Sequence, residues 1–385
     1  MHLHKLPVNR RAADVNRRIE EAVNEIIRAR DHTLGRIGLG GRKANYDDLR
    51  YEFLGGPADL LRTRHYDKSL RLLWKAEPNA PYLGFRDASR EEKLLFDLAL
   101  SNLGAEERRE RERLSMPEYK ALLDREYTRR EKQAIVNILS AIGHGEAYAW
   151  LVSAELLGQV QSTGARAALT MQVLEEAKHF VVLRELLAAF DVPIRRQSAW
   201  EYLLLERVYK ARGVEKLFGM NVLVEGIALG LFGLMGEMPG LELLRLFHLD
   251  ESRHTALPVN YFAEFPLTRW ERLDPLARAR RLAMVLPTLA LVPYLEEDMA
   301  ELGIDAFEFG GAVIRKVTLL AERAGFELGM PREELLALLD RLFNVYCART
   351  RPGFRPRRFV DAETTRGASQ LEVERDVFGG AAAAS

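Results

Sequence analysis

The sequence predicts an all-α protein, a four-helix bundle with additional flanking helices. Three observations predict it. The chain is rich in Leu, Ala, Glu and Arg and has few runs of Val, Ile or Thr. No stretch alternates apolar and polar residues as a half-buried strand does. Helical patterns are separated by clear turn signals, among them Ser162-Thr163-Gly164, Asp191-Val192-Pro193 and Glu237-Met238-Pro239-Gly240.

The elements follow in order. Residues 10–31 form an amphipathic helical pattern, basic at its start. Residues 33–88 are irregular, with glycine turns between Gly35 and Gly41 and a Gly55-Gly56-Pro57 breaker. A helix over 89–103 follows Ser89, with acids in its first turn, where they suit the helix dipole. Residues 117–160 read as one long helix, and a second runs from about 165 to 190. Further helices are expected over 198–211, 214–236 and 241–257, the last stopping at Pro258. Three more cover 275–302, 306–325 and 331–349. The expected organisation is an N-terminal helix and irregular segment over 1–88 packing on the bundle, a helical domain over 89–350, and a tail over 351–385 that is extended, or disordered beyond about Thr364.

Composition excludes several classes. The chain has 385 residues, with 56 Lys+Arg against 56 Asp+Glu, so its formal net charge is zero. A nucleic-acid partner, which needs a net basic surface or stripe, is not expected. The single cysteine, Cys347, permits no internal disulfide and no cysteine-based zinc or iron–sulfur site within one chain. The start of the chain, MHLHKLPVNRRAADVNRR, lacks the apolar core of a secretory signal. The uncharged apolar stretches Gly226–Gly236 and Leu282–Leu295 fall short of the roughly 20 residues that span a bilayer. No membrane span and a cytoplasmic location are therefore expected.

Two segments carry an acid followed three residues later by histidine. They are Glu175-Glu176-Ala177-Lys178-His179 and Asp250-Glu251-Ser252-Arg253-His254. Residues at i and i+3 share one helix face, so Glu176 with His179, and Glu251 with His254, can each bind one ion. Two more acids stand alone in apolar helices: Glu146 in IVNILSAIGHGEAYAWLVSAELL and Glu225 in LFGMNVLVEGIALGLFGLM. A buried carboxylate is costly without a cation or a hydrogen-bond partner. One Glu from each of two helices and an acid-x-x-His pair from each of two others is the ligand set of a carboxylate-bridged two-metal bundle.

Depth supplies an independent check. The midpoint of Glu146 and Glu176 is position 161, beside the first turn, and that of Glu225 and Glu251 is 238, inside the other. Residues equidistant from the turn of an antiparallel hairpin lie at one height. At ~1.5 Å rise per residue, all four sit roughly 20 Å from their own turns. Six ligands are thus expected: Glu146, Glu176, His179, Glu225, Glu251 and His254. Four carboxylates balance two divalent ions of the iron or manganese kind. Glu175 and Asp250 precede the ligand acids. Each is expected to accept the free ring N–H of the histidine on the opposite hairpin.

At these residues the sequence resembles the ferritin-like di-iron carboxylate superfamily. Within it, the resemblance points to the ribonucleotide reductase small-subunit-like ligand-binding oxidases. It is carried by EEAKHFVVLRELLAAF at 175–190, VEG at 224–226 and DESRH at 250–254, and covers about residues 90–300. It implies a helical bundle, a di-iron or Mn/Fe centre, dioxygen as co-substrate, and an apolar ligand near the metals. Leu183 stands where reductase small subunits carry a radical-bearing Tyr, which implies no reductase role. Met220 and Ala149 stand at the positions of the oxidases' tyrosine–valine crosslink, which implies none here. Leu229 replaces the Thr that multicomponent monooxygenases carry one turn after the third Glu.

Around the ligands, Gly143, Gly145, Gly226 and Gly230 either open a cavity or permit close helix packing. Tyr148 and Trp150 are candidate electron carriers, though buried aromatics usually only pack. His144 and His248 are minor candidates for a further ligand. The expected function is an O2-dependent oxidase or oxygenase acting on a small apolar organic substrate. Its electron donor is expected to be a separate protein, because no dinucleotide fingerprint is present, and a homodimer remains open. The alternative is a ferroxidase or iron-handling protein without an organic substrate.

Overall fold

No strand occurs among the residues that the computed structural model describes, which are 3–37, 109, 112–114, 116–262 and 275–361. The expected helix over 89–103, nearly all of the irregular segment over 33–88, and the tail past 361 lie outside those residues. The helices are α1 (Arg10–Arg36), α2 (Pro117–Glu126), α3 (Arg129–Leu157), α4 (Thr163–Ala189), α5 (Ala199–Lys210), α6 (Gly213–Met235), α7 (Leu244–Tyr261), α8 (Pro275–Glu301), α9 (Ala306–Ala324) and α10 (Arg332–Thr350).

Local chemistry sets most boundaries. Ser162 caps α4 by accepting from the Ala165 N–H at 3.1 Å. Ser198 and Glu201 form a reciprocal capping box that starts α5. Asp305 caps α9 through the Phe307 and Glu308 N–H groups, and Gly325 ends that helix in the left-handed region at φ 86°.

Two expectations fail at boundaries. The long helix over 117–160 is broken at Tyr127-Thr128. Tyr127 is extended, and Thr128 with Glu131 forms a capping box that starts α3 afresh. The break lets α2 close the end of the bundle, where Tyr119 and Tyr127 hydroxyls donate to the Gly240 and Pro239 carbonyls of the α6–α7 turn. Pro258 also does not end α7, which runs on to Tyr261. Proline removes one N–H, and the bond it costs would have gone to the His254 carbonyl. The Asn221 amide of α6 donates to that carbonyl instead, at 3.1 Å. Pro287 inside α8 repeats the device, since the Ala283 carbonyl accepts from Arg207 of α5.

The bundle consists of two helical hairpins, α3–α4 and α6–α7, joined through α4–α7 and α3–α6 contacts. Around them α8 packs on α3 and α5, α9 on α6, α7 and α8, and α10 on α9. Helix α1 packs on α5 and α8. Helix α6 is long and apolar enough to cross a membrane by length and composition, yet 83% of its apolar 18-residue stretch is buried inside the protein. It also contains a seven-residue π-helical stretch, Phe218–Val224, directly before Glu225. Such wide turns reset the register of the side chains that follow and are often found at functional sites.

Residues 351–361 form neither helix nor strand, with turns at 352–353 and 360–361, and they are anchored. Phe359 and Val360 are buried, and Arg351 pairs with Glu296 and Asp305. Here the α9 backbone approaches the segment closely. A Cβ added at Gly311 would lie 2.3 Å from the Phe359 carbonyl oxygen. That neighbour is backbone and cannot rotate away. Gly311→Ala is therefore expected to lower stability by about 1–3 kcal/mol in a denaturant titration, the usual cost of overpacking.

Candidate metal centre

The six expected ligands come from four helices: Glu146 from α3, Glu176 and His179 from α4, Glu225 from α6, and Glu251 and His254 from α7. None is more than 3% exposed. Among the described residues they form two groups: Glu146, Glu176, His179 and Glu251, and Glu176, Glu225, Glu251 and His254. Within each group the four ligand atoms lie within 4.8 Å of one another. Both hairpins thus bring their acids to one height.

The atoms divide consistently. His179 Nδ1 is 3.4 Å from Glu146 Oε2, 3.8 Å from Glu176 Oε2 and 3.0 Å from Glu251 Oε1. His254 Nδ1 is 3.2 Å from Glu176 Oε1, 3.6 Å from Glu225 Oε1 and 3.2 Å from Glu251 Oε2. Glu176 and Glu251 therefore each turn one oxygen to either position. Glu146 with His179, and Glu225 with His254, each serve one. In the first position Glu146 Oε2, Glu176 Oε2, His179 Nδ1 and Glu251 Oε1 are buried and make no well-directed hydrogen bond. Buried polar atoms are rarely left so. Four of them converging on one point fit a cation.

The outer acids sit where the sequence places them. His179 Nε2 lies 3.0 Å from Asp250 Oδ2, and His254 Nε2 lies 2.8 Å from Glu175 Oε2. Each acid belongs to the opposite hairpin, and both are buried. A carboxylate at Nε2 holds a proton there, so the ring, once it gives up its second proton, turns the Nδ1 lone pair to the centre. Lys178 donates to Asp250 at 2.7 Å, and Arg253 donates to Glu175 at 2.7 Å and also to Asp250. The Phe247 ring stacks on His179 at 4.3 Å and limits its tilt.

Electrostatics show a cluster short of positive charge. Burial pushes the Glu146 and Glu225 carboxyls well above the usual range. For His179, burial favours the neutral ring, but the carboxylates of Asp250, Glu146, Glu176 and Glu251 outweigh it and raise the pKa well above normal. His254 is raised likewise by Glu176, Glu251 and Glu175, against its burial. Burial also opposes ionisation of Glu176, yet His254 and His179 hold it well below the usual range. Glu251 falls to about 2 against its burial, through Glu225 and His254. A cation bound here would displace protons from these groups.

The minor candidates lie elsewhere. His144 Nδ1 is 2.9 Å from Glu201 Oε2, and His248 Nδ1 is 2.9 Å from the Leu229 carbonyl. Neither belongs to the two groups. Tyr148 is buried edge-on to Tyr209, and Trp150 is partly exposed beside Phe180. Two residues were not anticipated. Gln172 bonds Glu176 and Glu225, and Asn221 bonds Gln172. The available signal was spacing, because each sits four residues before a ligand acid, on the same helix face.

A cavity of about 130 Å³ reaches Glu146 and Glu225. Its walls are apolar, formed by residues such as Ala149, Leu231, Leu291 and Val313 from α3, α6, α8 and α9. The glycines divide between the two roles. A Cβ on Gly145 meets nothing within 4 Å, and Gly145 lines the cavity. Gly226 and Gly230 permit close packing on α9, where an added Cβ would lie 2.8 Å from Val317 and 3.1 Å from Val313. Gly143 is buried within α3. In comparisons with known proteins, the chain matches no family model, no curated protein and no solved structure.

Proposed function

We propose that the chain is a di-iron, or manganese–iron, carboxylate oxidoreductase of ferritin-like type that uses dioxygen to oxidise an apolar organic substrate. One observation carries the reading: two four-atom ligand groups share Glu176 and Glu251 as common members. Oxygen and imidazole donors in this ratio suit iron and manganese. Bound as a pair, such ions supply redox and Lewis-acid chemistry toward dioxygen.

The chain's own residues do the rest. Glu176 and Glu251 offer an oxygen to each of the two positions, so they would hold a metal pair as a unit. Glu146 and His179 complete one position, and Glu225 and His254 the other. Asp250 and Glu175 fix the two rings. The apolar cavity beside Glu146 and Glu225 receives the substrate and keeps water away from it. That chamber favours this reading over a ferroxidase, which has no use for apolar space next to its ions.

The test loads the metal-free chain with ferrous ion anaerobically and mixes it with oxygenated buffer in a stopped-flow instrument. The expected result is rapid oxidation of both ions with oxygen uptake. Stoichiometric ferrous ion that stays reduced in oxygen would overturn the oxidase reading.

A further inference from the structure

Gln172 and Asn221 are uncharged, fully buried and placed against only one of the two metal positions. Gln172 Nε2 donates to Glu176 Oε1 at 2.9 Å and to Glu225 Oε1 at 2.7 Å. Both oxygens belong to the group around His254 Nδ1. The Gln172 carbonyl oxygen accepts from Asn221 Nδ2 at 2.9 Å, and the same nitrogen donates to the His254 carbonyl at 3.1 Å. That carbonyl is free for Asn221 because Pro258, four residues on, has no N–H to give it.

The chain of bonds has one direction. An acceptor fixed in the α7 backbone orients the Asn221 amide. Asn221 in turn fixes which end of Gln172 carries the oxygen. The Gln172 amide therefore presents both its N–H bonds to the two acids, and both are used.

The other position differs. Glu146 Oε2, Glu176 Oε2, His179 Nδ1 and Glu251 Oε1 have no such donor. A carboxylate oxygen offers two lone pairs. On Glu176 Oε1 and Glu225 Oε1 one of these is engaged by Gln172, which tethers the oxygen and weakens it as a donor to an ion. Neither bond from the Gln172 amide goes to the atoms around His179.

We infer that Gln172, held by Asn221, is a positioning residue that makes the two metal positions unequal. The position of Glu146, Glu176, His179 and Glu251 fills first, and the position completed by Glu225 and His254 fills second and more weakly. The inference rests on the metal-centre reading above.

The test titrates the full-length metal-free chain with cobalt(II) alone, without oxygen, and follows the visible absorption of the bound ion. Two steps are expected, separated by at least about tenfold in affinity, the effect of one hydrogen bond to a charged group. Glu146→Gln should remove the tighter step, and Glu225→Gln the weaker one. Gln172→Met keeps most of the side-chain volume. It should leave the spectrum and affinity of the first ion unchanged, shift the spectrum of the second, and bring the two affinities together by about tenfold. Asn221→Ala should act in the same direction and serves if the Gln172 variant does not fold. An unchanged or widened gap in the folded variants overturns the inference. So does a single unresolved step in the parent chain, or loss of the weaker step in Glu146→Gln. Failure of the parent chain to take up any cobalt would overturn the metal-centre reading itself, and this inference with it.

Discussion

Glu176→Ala and Glu251→Ala should each empty both metal positions, whereas Glu146→Ala and Glu225→Ala should each empty one. The difference follows from how the oxygens are shared. Glu176 and Glu251 each turn one oxygen to His179 and the other to His254, while Glu146 and Glu225 each face a single histidine. Removing a shared acid takes one donor from each position and leaves the remaining carboxylates too few to balance two dications. Metal content of the purified variants by mass spectrometry is the measurement. Folding must be checked alongside it. Alanine is the best helix former, but deleting Glu176 or Glu251 also takes a buried charge partner from His179 and His254. Far-ultraviolet circular dichroism checks that the helices persist. Equal losses across all four variants would refute the shared arrangement.

The second large effect is expected one layer out. Asp250→Ala should weaken metal binding by about 10- to 100-fold without removing a ligand atom, the usual consequence of deleting a histidine's outer partner. His179 would lose the acceptor that fixes its ring, and Lys178 and Arg253 would lose a shared anion. Glu175→Ala should do the same through His254. The two variants should act on different positions, because each acid serves one histidine. Asp250→Asn retains an acceptor oxygen and should lie between the parent and Asp250→Ala. Competition against a metal-binding dye measures each constant.

The six candidate ligands and the two outer acids, which the structure brings together, were legible in the sequence, and the reason is physical. Charge inside an apolar helix is expensive, so Glu146 and Glu225 stand out against their surroundings, and the turn positions fix their heights. Gln172 and Asn221 carry no charge and are less conspicuous in the same helices. Only their spacing from Glu176 and Glu225 betrays them. The break before α3 was readable in principle, since Thr128-x-x-Glu131 is a capping-box pattern. It was obscured because residues 124–133 contain no Gly or Pro to mark a break. Pro258 misled for a different reason. Whether a proline stops a helix depends on what receives the carbonyl it abandons, and here the receiver is 33 residues away in sequence.

The abandoned carbonyls of α7 and α8 have a mechanical consequence. In an unbroken helix every interior carbonyl is engaged by its own chain, so a neighbour can grip only its side chains. Apolar side chains pack nearly as well after a slide of one helical turn. A backbone acceptor exposed at one height does not tolerate that slide. Shifting α6 along α7 by a turn would strand both the Asn221 amide and the His254 carbonyl in a dry interior, and shifting α5 along α8 would leave the Ala283 carbonyl without Arg207. Pro258 and Pro287 therefore act as index marks. They register one helix against the next at a single setting, and on α7 that setting puts Glu225 level with Glu251.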